Sequence, residues 1–134
     1  MIATSPVFAS LTPEMKTRLD RFRDEHAGDP IGGVGGRILL EDEKVRIWEL
    51  ILEPGEASDL HRHDYDYYLV IFEGDYVAGV TPKGGLVDSF VGVVPADGNT
   101  VAIPKGGLEW AYNVGQKRYR EIIVELKNSA DAPG

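Results

Sequence analysis

From residue 37 onward the chain is a series of short β-forming runs cut by turn residues, and this cadence restricts the possible folds more than any other feature. The runs span 37–40, 45–52, 66–72, 75–80, 86–94, 100–103, 108–114 and 118–126. Turn chemistry separates them, including Pro54-Gly55, Glu73-Gly74, Pro82-Lys83-Gly84-Gly85, Lys105-Gly106-Gly107 and Gly115-Gln116-Lys117. Short strands at this spacing, with no helical period between them, predict antiparallel sheets arranged as a sandwich or barrel.

Before the strands, residues 12–27 predict one α-helix. Thr12 can cap it, Pro13 suits its first turn and Gly28 can end it. Leu11, Met15, Leu19 and Phe22 then form one apolar stripe, with His26 on the same side in the last turn, where it reads as a structural or surface residue. The segment Asp29-Pro30-Ile31-Gly32-Gly33-Val34-Gly35-Gly36 is glycine-rich, but no strand precedes it, no helix follows and no lysine completes a phosphate loop. A flexible connector is the expected role. The chain therefore divides into a helix with connector over 1–36, a β-domain over 37–127 and a polar tail over 128–134 that is expected to fray.

Composition narrows the chemistry. With 134 residues, 43% hydrophobic and 27% charged, the chain has the makeup of one globular domain. It has no cysteine, so disulfides, thiolate metal sites and thiol nucleophiles are excluded, and any metal must be held by His, carboxylate or phenol. A net charge of −8 without a basic run argues against nucleic acid or an anionic membrane as partner and leaves small molecules. No long apolar span or signal-like leader is present, so the expected location is the cytoplasm.

Two of the three histidines form His61-Arg62-His63, just before a strongly β-forming run. Residues two apart on a strand share a face, so the two imidazoles can converge on one point. Tyr65 and Tyr67 continue that parity, whereas Asp64 and Asp66 point away, toward solvent or Arg62. Arg118 and Arg120 read as surface ion-pairing residues, the alternative being that one of them holds a substrate carboxylate.

Two spacings are distinctive. Five residues separate Gly55 from His61, one separates the histidines, three separate His63 from Tyr67 and six more lead to Gly74; a second segment runs from Gly98 through Pro104, Gly106 and Glu109 to Asn113. This pattern resembles the two motifs of the cupin superfamily, small jelly-roll barrels, over residues 45–126. The resemblance implies an all-β antiparallel jelly-roll barrel with one N-terminal α-helix. Two positions depart from it: Tyr67 stands where cupins usually have a glutamate ligand, and Glu109 where they usually have the third histidine. The carboxylate has been exchanged across the site. The segments 45–50, 52–56 and 113–126 further resemble small bacterial single-domain cupins, some named as β-alanine degradation proteins, which implies a setting in small-molecule catabolism.

The resemblance sets Glu109 opposite His61 and His63, and two imidazoles with one carboxylate would suit Fe(II), Mn(II), Ni(II) or Zn(II). The implied function is metal-dependent chemistry on a small organic acid or related metabolite, as a lyase, isomerase or dioxygenase, with Tyr67 and Glu109 in catalytic roles. The alternative is a non-catalytic ligand-binding or structural barrel without metal, in which Glu109 accepts hydrogen bonds from the histidines and Tyr65, Tyr67 and Tyr119 close around a ligand. Of the 22 acidic residues, Glu109 alone is singled out as interior, the others being expected at the surface. Trp110 and Tyr112 on one run, and Tyr68, Val70 and Phe72 on another, make both strand faces apolar; the helix can cover part of the outer surface and a second copy of the chain the remainder, so a homodimer is expected.

Overall fold

The computed structural model describes residues 3–84 and 88–129. Helix α1 covers Pro13–Glu25, and ten strands follow the chain as β1 (Phe8–Ala9), β2 (Arg37–Glu41), β3 (Val45–Leu52), β4 (His61–Arg62), β5 (Tyr67–Glu73), β6 (Tyr76–Val80), β7 (Phe90–Val93), β8 (Asn99–Ile103), β9 (Leu108–Tyr112) and β10 (Tyr119–Leu126). All eight expected runs carry a strand; the run expected from Leu86 begins at Phe90, Leu86 and Val87 lying outside the described residues. The two-residue strands β1 and β4 were not expected, because two residues carry no readable alternation.

The strands form two five-stranded sheets, one ordered β2-β3-β10-β5-β8 and the other β1-β7-β6-β9-β4. Every pairing between named strands is antiparallel. The jelly-roll barrel expectation needs a correction: among the described residues no pair of named strands joins one sheet to the other, the Ala3–Asn99 bridge being an isolated one. The physical reason is the length of the edge strands β1 and β4, which end the hydrogen-bond ladder after two residues each.

Two cores result. Between the sheets, Leu50, Leu52, Tyr67, Ile71, Tyr119 and Ile123 project from the first sheet, with Val77 and Ala111 of the second packed against them. Behind the second sheet, Leu19 and Phe22 of α1 pack on Ala78, Val80, Val91 and Trp110. The helix stripe thus covers the outer face that carries Trp110, as its periodicity implied. Thr12 caps α1 by accepting the Met15 N–H at 3.1 Å, and His26 closes it by stacking on Phe22 with ring centroids 3.9 Å apart.

The glycine-rich segment is tied down at several points. Val34 is buried, the Gly32 N–H donates to the Leu60 carbonyl at 2.7 Å, and a Cβ on Gly35 would lie 2.7 Å from the Trp48 Cβ. Gly98 is needed on two counts: its φ is +83°, and a Cβ there would sit 2.6 Å from the Ile71 carbonyl oxygen. At the other end of the motif pair, Asn113 is fully buried and donates through Nδ2 to the Leu52 and Lys117 carbonyls, both at 2.9 Å, anchoring the turn before β10 to the end of β3. In the tail, Asn128 and Ser129 belong to a short 3₁₀ turn, and the rest lies outside the described residues.

Candidate metal centre

The site grows from one strand pairing. His61 on β4 and Glu109 on β9 are register partners in an antiparallel pair, so their side chains leave the same face of the second sheet. His63 follows two residues after His61 and is held in line by the Gly107 carbonyl, which accepts its N–H at 2.8 Å, and by the Gly106 N–H, which its carbonyl accepts at 2.8 Å. His61, His63 and Glu109 each offer a ligand atom, all within 4.8 Å of one another. Glu109 is therefore a lateral neighbour of the histidines in the same sheet.

Tyr67 arrives from the other side. The chain bends between β4 and β5, leaves the second sheet and enters the first, and the Tyr67 ring stacks on His63 with centroids 4.1 Å apart and planes at 14°. Tyr65 is placed elsewhere by that bend: it lies near the Arg46 guanidinium, 5.5 Å from its ring centre, outside the cavity lining. Strand parity alone could not see this, since it assumes one continuous strand. Asp64 pairs with Arg62 at 3.0 Å, while the Asp66 carboxylate accepts the Lys105 N–H at 3.0 Å. Arg118 lies 3.8 Å from Glu53 and from Glu73, and Arg120 donates through Nη2 and Nε to the single oxygen Oε2 of Glu49 at 2.6 and 2.9 Å.

The triad faces a cavity of about 750 Å³ between the sheets. Its wall is mainly apolar, with Leu69, Ile71, Val77, Val101, Ile103 and Ile123 among the lining residues. Gly79 makes room for the carboxylate: a Cβ there would lie 2.8 Å from Glu109 Oε2 and 2.5 Å from the Phe90 ring.

The donor set fits a divalent ion. His61 Nδ1 donates to the Asp59 carbonyl at 2.9 Å, which fixes the tautomer and leaves Nε2 as a lone pair on the Glu109 side. Burial, then the neighbouring His63, push the His61 pKa down and favour that neutral form. His63 Nδ1 is buried without a hydrogen-bond partner. The Nε2 atoms of His61 and His63 lie 4.0 and 3.8 Å from Glu109 Oε1, beyond hydrogen-bond reach. Donors at ~2.1 Å from one ion stand roughly 3.0–3.4 Å apart, so small side-chain rotations would bring the three onto a common centre.

Sequence reasoning left three interior acids unnoticed. The expectation that every acid but Glu109 lies at the surface is overturned by Glu49, Glu121 and Glu125, all buried. Glu49 is neutralised by Arg37 and Arg120, and Glu125 by Arg46 at 2.7 Å with a further bond from Trp48 Nε1 at 2.6 Å. Among the described residues Glu121 has no cation within ion-pair distance. It lines the cavity and accepts the Tyr119 hydroxyl at 2.8 Å. The readable signal was the alternation Tyr119, Glu121, Ile123, Glu125, which sets two acids on the face that carries Tyr and Ile.

Burial, with Glu109 adding to it, pushes the Glu121 pKa up to about 8 from the usual 4.5. The proton is then bound more tightly in the folded than in the unfolded chain, so stability falls as pH rises from about 4.5 to about 8. In metal-free protein, Glu121→Gln is expected to remove that fall, gaining on the order of a few kcal/mol relative to wild type between pH 5 and 8 in urea unfolding. A constant difference between the two proteins over that window would contradict it.

Comparisons with known proteins agree with this architecture. No protein-family model and no curated protein matches the chain. Among solved structures, a cupin domain from Bordetella pertussis superimposes with a TM-score of 0.61 at 22% identity, over 75% of this chain and 99% of that one. The chain has a cupin fold. An RmlC-like cupin from Methanocaldococcus jannaschii, described as a double-stranded β-helix, shares the cupin fold with a TM-score of 0.50 at 16% identity, over 71% of this chain and 93% of that one. Bacillus subtilis oxalate decarboxylase, whose structure was studied for its Mn(II) centres, gives 0.51 at 18% identity over 78% of this chain, which spans only 29% of the decarboxylase. The narrower likeness to β-alanine degradation proteins rests on the sequence segments alone. Among the described residues no helix is long and apolar enough to cross a membrane.

Proposed function

We propose that His61, His63 and Glu109 bind one divalent metal ion and that the cavity beside them takes a small organic acid or related metabolite. The observation that carries this reading is the convergence of three ligand atoms within 4.8 Å, one of them a histidine whose other nitrogen is already committed to a backbone carbonyl. A bound ion would supply Lewis-acid polarisation of a substrate oxygen. The Mn(II) centres of oxalate decarboxylase, on the same fold, lend support.

Tyr67 has a defined part in this scheme. Burial, then Glu109 and Glu121, raise its pKa far above the ordinary phenol value, so it stays protonated at neutral pH. Its role is to back His63 by stacking and to donate a hydrogen bond to a bound molecule; phenolate ligation is disfavoured. The reaction class is a lyase, isomerase or dioxygenase step on a small metabolite. Elemental analysis of untagged protein tests the metal directly: about one ion per chain is expected, and a content far below that, unrepaired by Fe(II), Mn(II), Ni(II) or Zn(II), would overturn it. The apolar cavity wall favours a second reading, a metal-free binding barrel, and the same measurement separates the two.

We also infer a homodimer built on the outer face of the first sheet. Leu40, Ile47, Val124, Tyr68 and Ala102 are successive register partners across five strands, making one apolar row. Leu40 is 49%, Tyr68 45% and the nearby Phe72 45% exposed, and α1 lies on the other sheet. A face of this kind is self-complementary about a two-fold axis. Light scattering at micromolar concentration is expected to give twice the 14.7 kDa chain mass, and a monomer would refute the interface.

A further inference from the structure

Glu121 is the buried acid that neither the strand pairing nor the metal triad accounts for. An uncompensated carboxyl inside an apolar cavity destabilises the fold, and an aliphatic side chain of similar size would pack there without that cost. Its partner on β5 is Ile71, and the next residue on its own face is Ile123, so no neighbouring side chain there supplies a cation. Tyr119 occupies one carboxyl oxygen, the other has no hydrogen bond among the described residues, and Glu121 belongs to the cavity lining. The charged or titratable groups around the same cavity are Glu109, His61, His63, Tyr67, Tyr119 and Lys83.

The triad and Glu121 belong to different sheets. Glu109 and the histidines sit on the second sheet, with Tyr67 stacked above them at the start of β5, while Glu121 pairs with Ile71, four residues further along that strand. Four strand residues span about 13 Å. The two polar groups thus enter one cavity from different sheets, with apolar residues such as Leu69, Ile71, Ile103 and Ile123 lining it beside them.

We propose that Glu121, with Tyr119 fixing one of its oxygens, is a recognition residue that donates its carboxyl hydrogen to an uncharged oxygen of the ligand. The ligand class is a bifunctional small molecule: a carboxylate at the triad, an apolar body along the wall, and a hydroxyl or carbonyl oxygen at Glu121. The carboxylate end rests on the metal reading above; the Glu121 end stands without it. An ammonium group is the contrasting probe, because it would need Glu121 ionised and would bury an ion pair among Ile71 and Ile123.

The test has two arms. Infrared spectra of metal-free protein at neutral pH are expected to contain a protonated-carboxyl carbonyl band that disappears in Glu121→Leu and, should that variant fail to fold, in Glu121→Gln. Calorimetric titration of Mn(II)-loaded and metal-free protein then uses straight-chain carboxylates from butanoate to decanoate, each bare, ω-hydroxylated or ω-aminated. At one or more lengths the hydroxyl compound is expected to bind roughly three- to tenfold tighter than the bare acid, an advantage lost in Glu121→Leu while Mn(II) affinity is kept. Absence of the band, no hydroxyl preference at any length, a preference that survives Glu121→Leu, or tighter binding of the amine would each overturn the proposal. Wild-type protein that keeps the band and the hydroxyl preference but binds no Mn(II) would overturn the metal reading and leave Glu121 in place.

Discussion

Glu109→Gln is expected to weaken Mn(II) binding by about a hundredfold or more while leaving the fold intact, because it removes the anionic oxygen of the ligand set and keeps the side-chain volume. Changes one layer further out typically cost 10–100-fold in metal affinity, so a direct ligand belongs at or above the top of that range. The outcome separates two roles for this carboxylate. Were Glu109 only a partner for histidine charge, the variant would alter the pH dependence of unfolding and leave calorimetric metal titrations unchanged; its 3.8 and 4.0 Å separations from the histidine nitrogens already exceed hydrogen-bond length. Glu109→His supplies the complementary arm. It restores the ligand that cupins usually carry at this position, and tighter Mn(II) binding than in Glu109→Gln is expected if β4 and β9 hold the donors in cupin-like geometry.

Trp110→Ala is expected to cost ~3–5 kcal/mol, read as a lower urea midpoint at unchanged slope. The indole is 2% exposed and fills the space between the second sheet and α1. It meets Phe22 edge-on at 5.8 Å and donates through Nε1 to Asp29 at 3.2 Å. Against a usual total of about 5–15 kcal/mol, such a loss is large enough to undock the helix. A change below about 1 kcal/mol would show that α1 contributes little to holding this sheet.

Much of this molecule was legible because local rules and tertiary packing point the same way. Thr12, Pro13 and the Leu19/Phe22 spacing define a helix that forms as expected, and its stripe meets the outward residues of β6 and β9. His61-Arg62-His63 reads as two imidazoles on one face, and both are buried beside Glu109. The failures have physical causes too. β1 and β4 are too short to carry a period, and Tyr65 was assigned to the pocket because the bend between β4 and β5 leaves no signature in hydrophobic alternation. The buried acids were missed because charge alone suggests a surface. Glu49 and Glu125 are admitted to the interior by arginines on neighbouring strands, partners that only the register identifies.

By itself the sequence determined an antiparallel β architecture with one helix, a chain without thiols, and a histidine pair with one distinguished carboxylate, because turn chemistry, strand period and composition are local properties. Tertiary structure decided the rest. It set two open sheets in place of a closed barrel, brought Tyr67 over His63 from the opposite sheet, and left Glu121 facing the cavity with no ion-pair partner among the described residues. Those outcomes depend on which strands pair, in which register and where the ladder stops, and each of these is fixed by contacts between residues far apart in the chain.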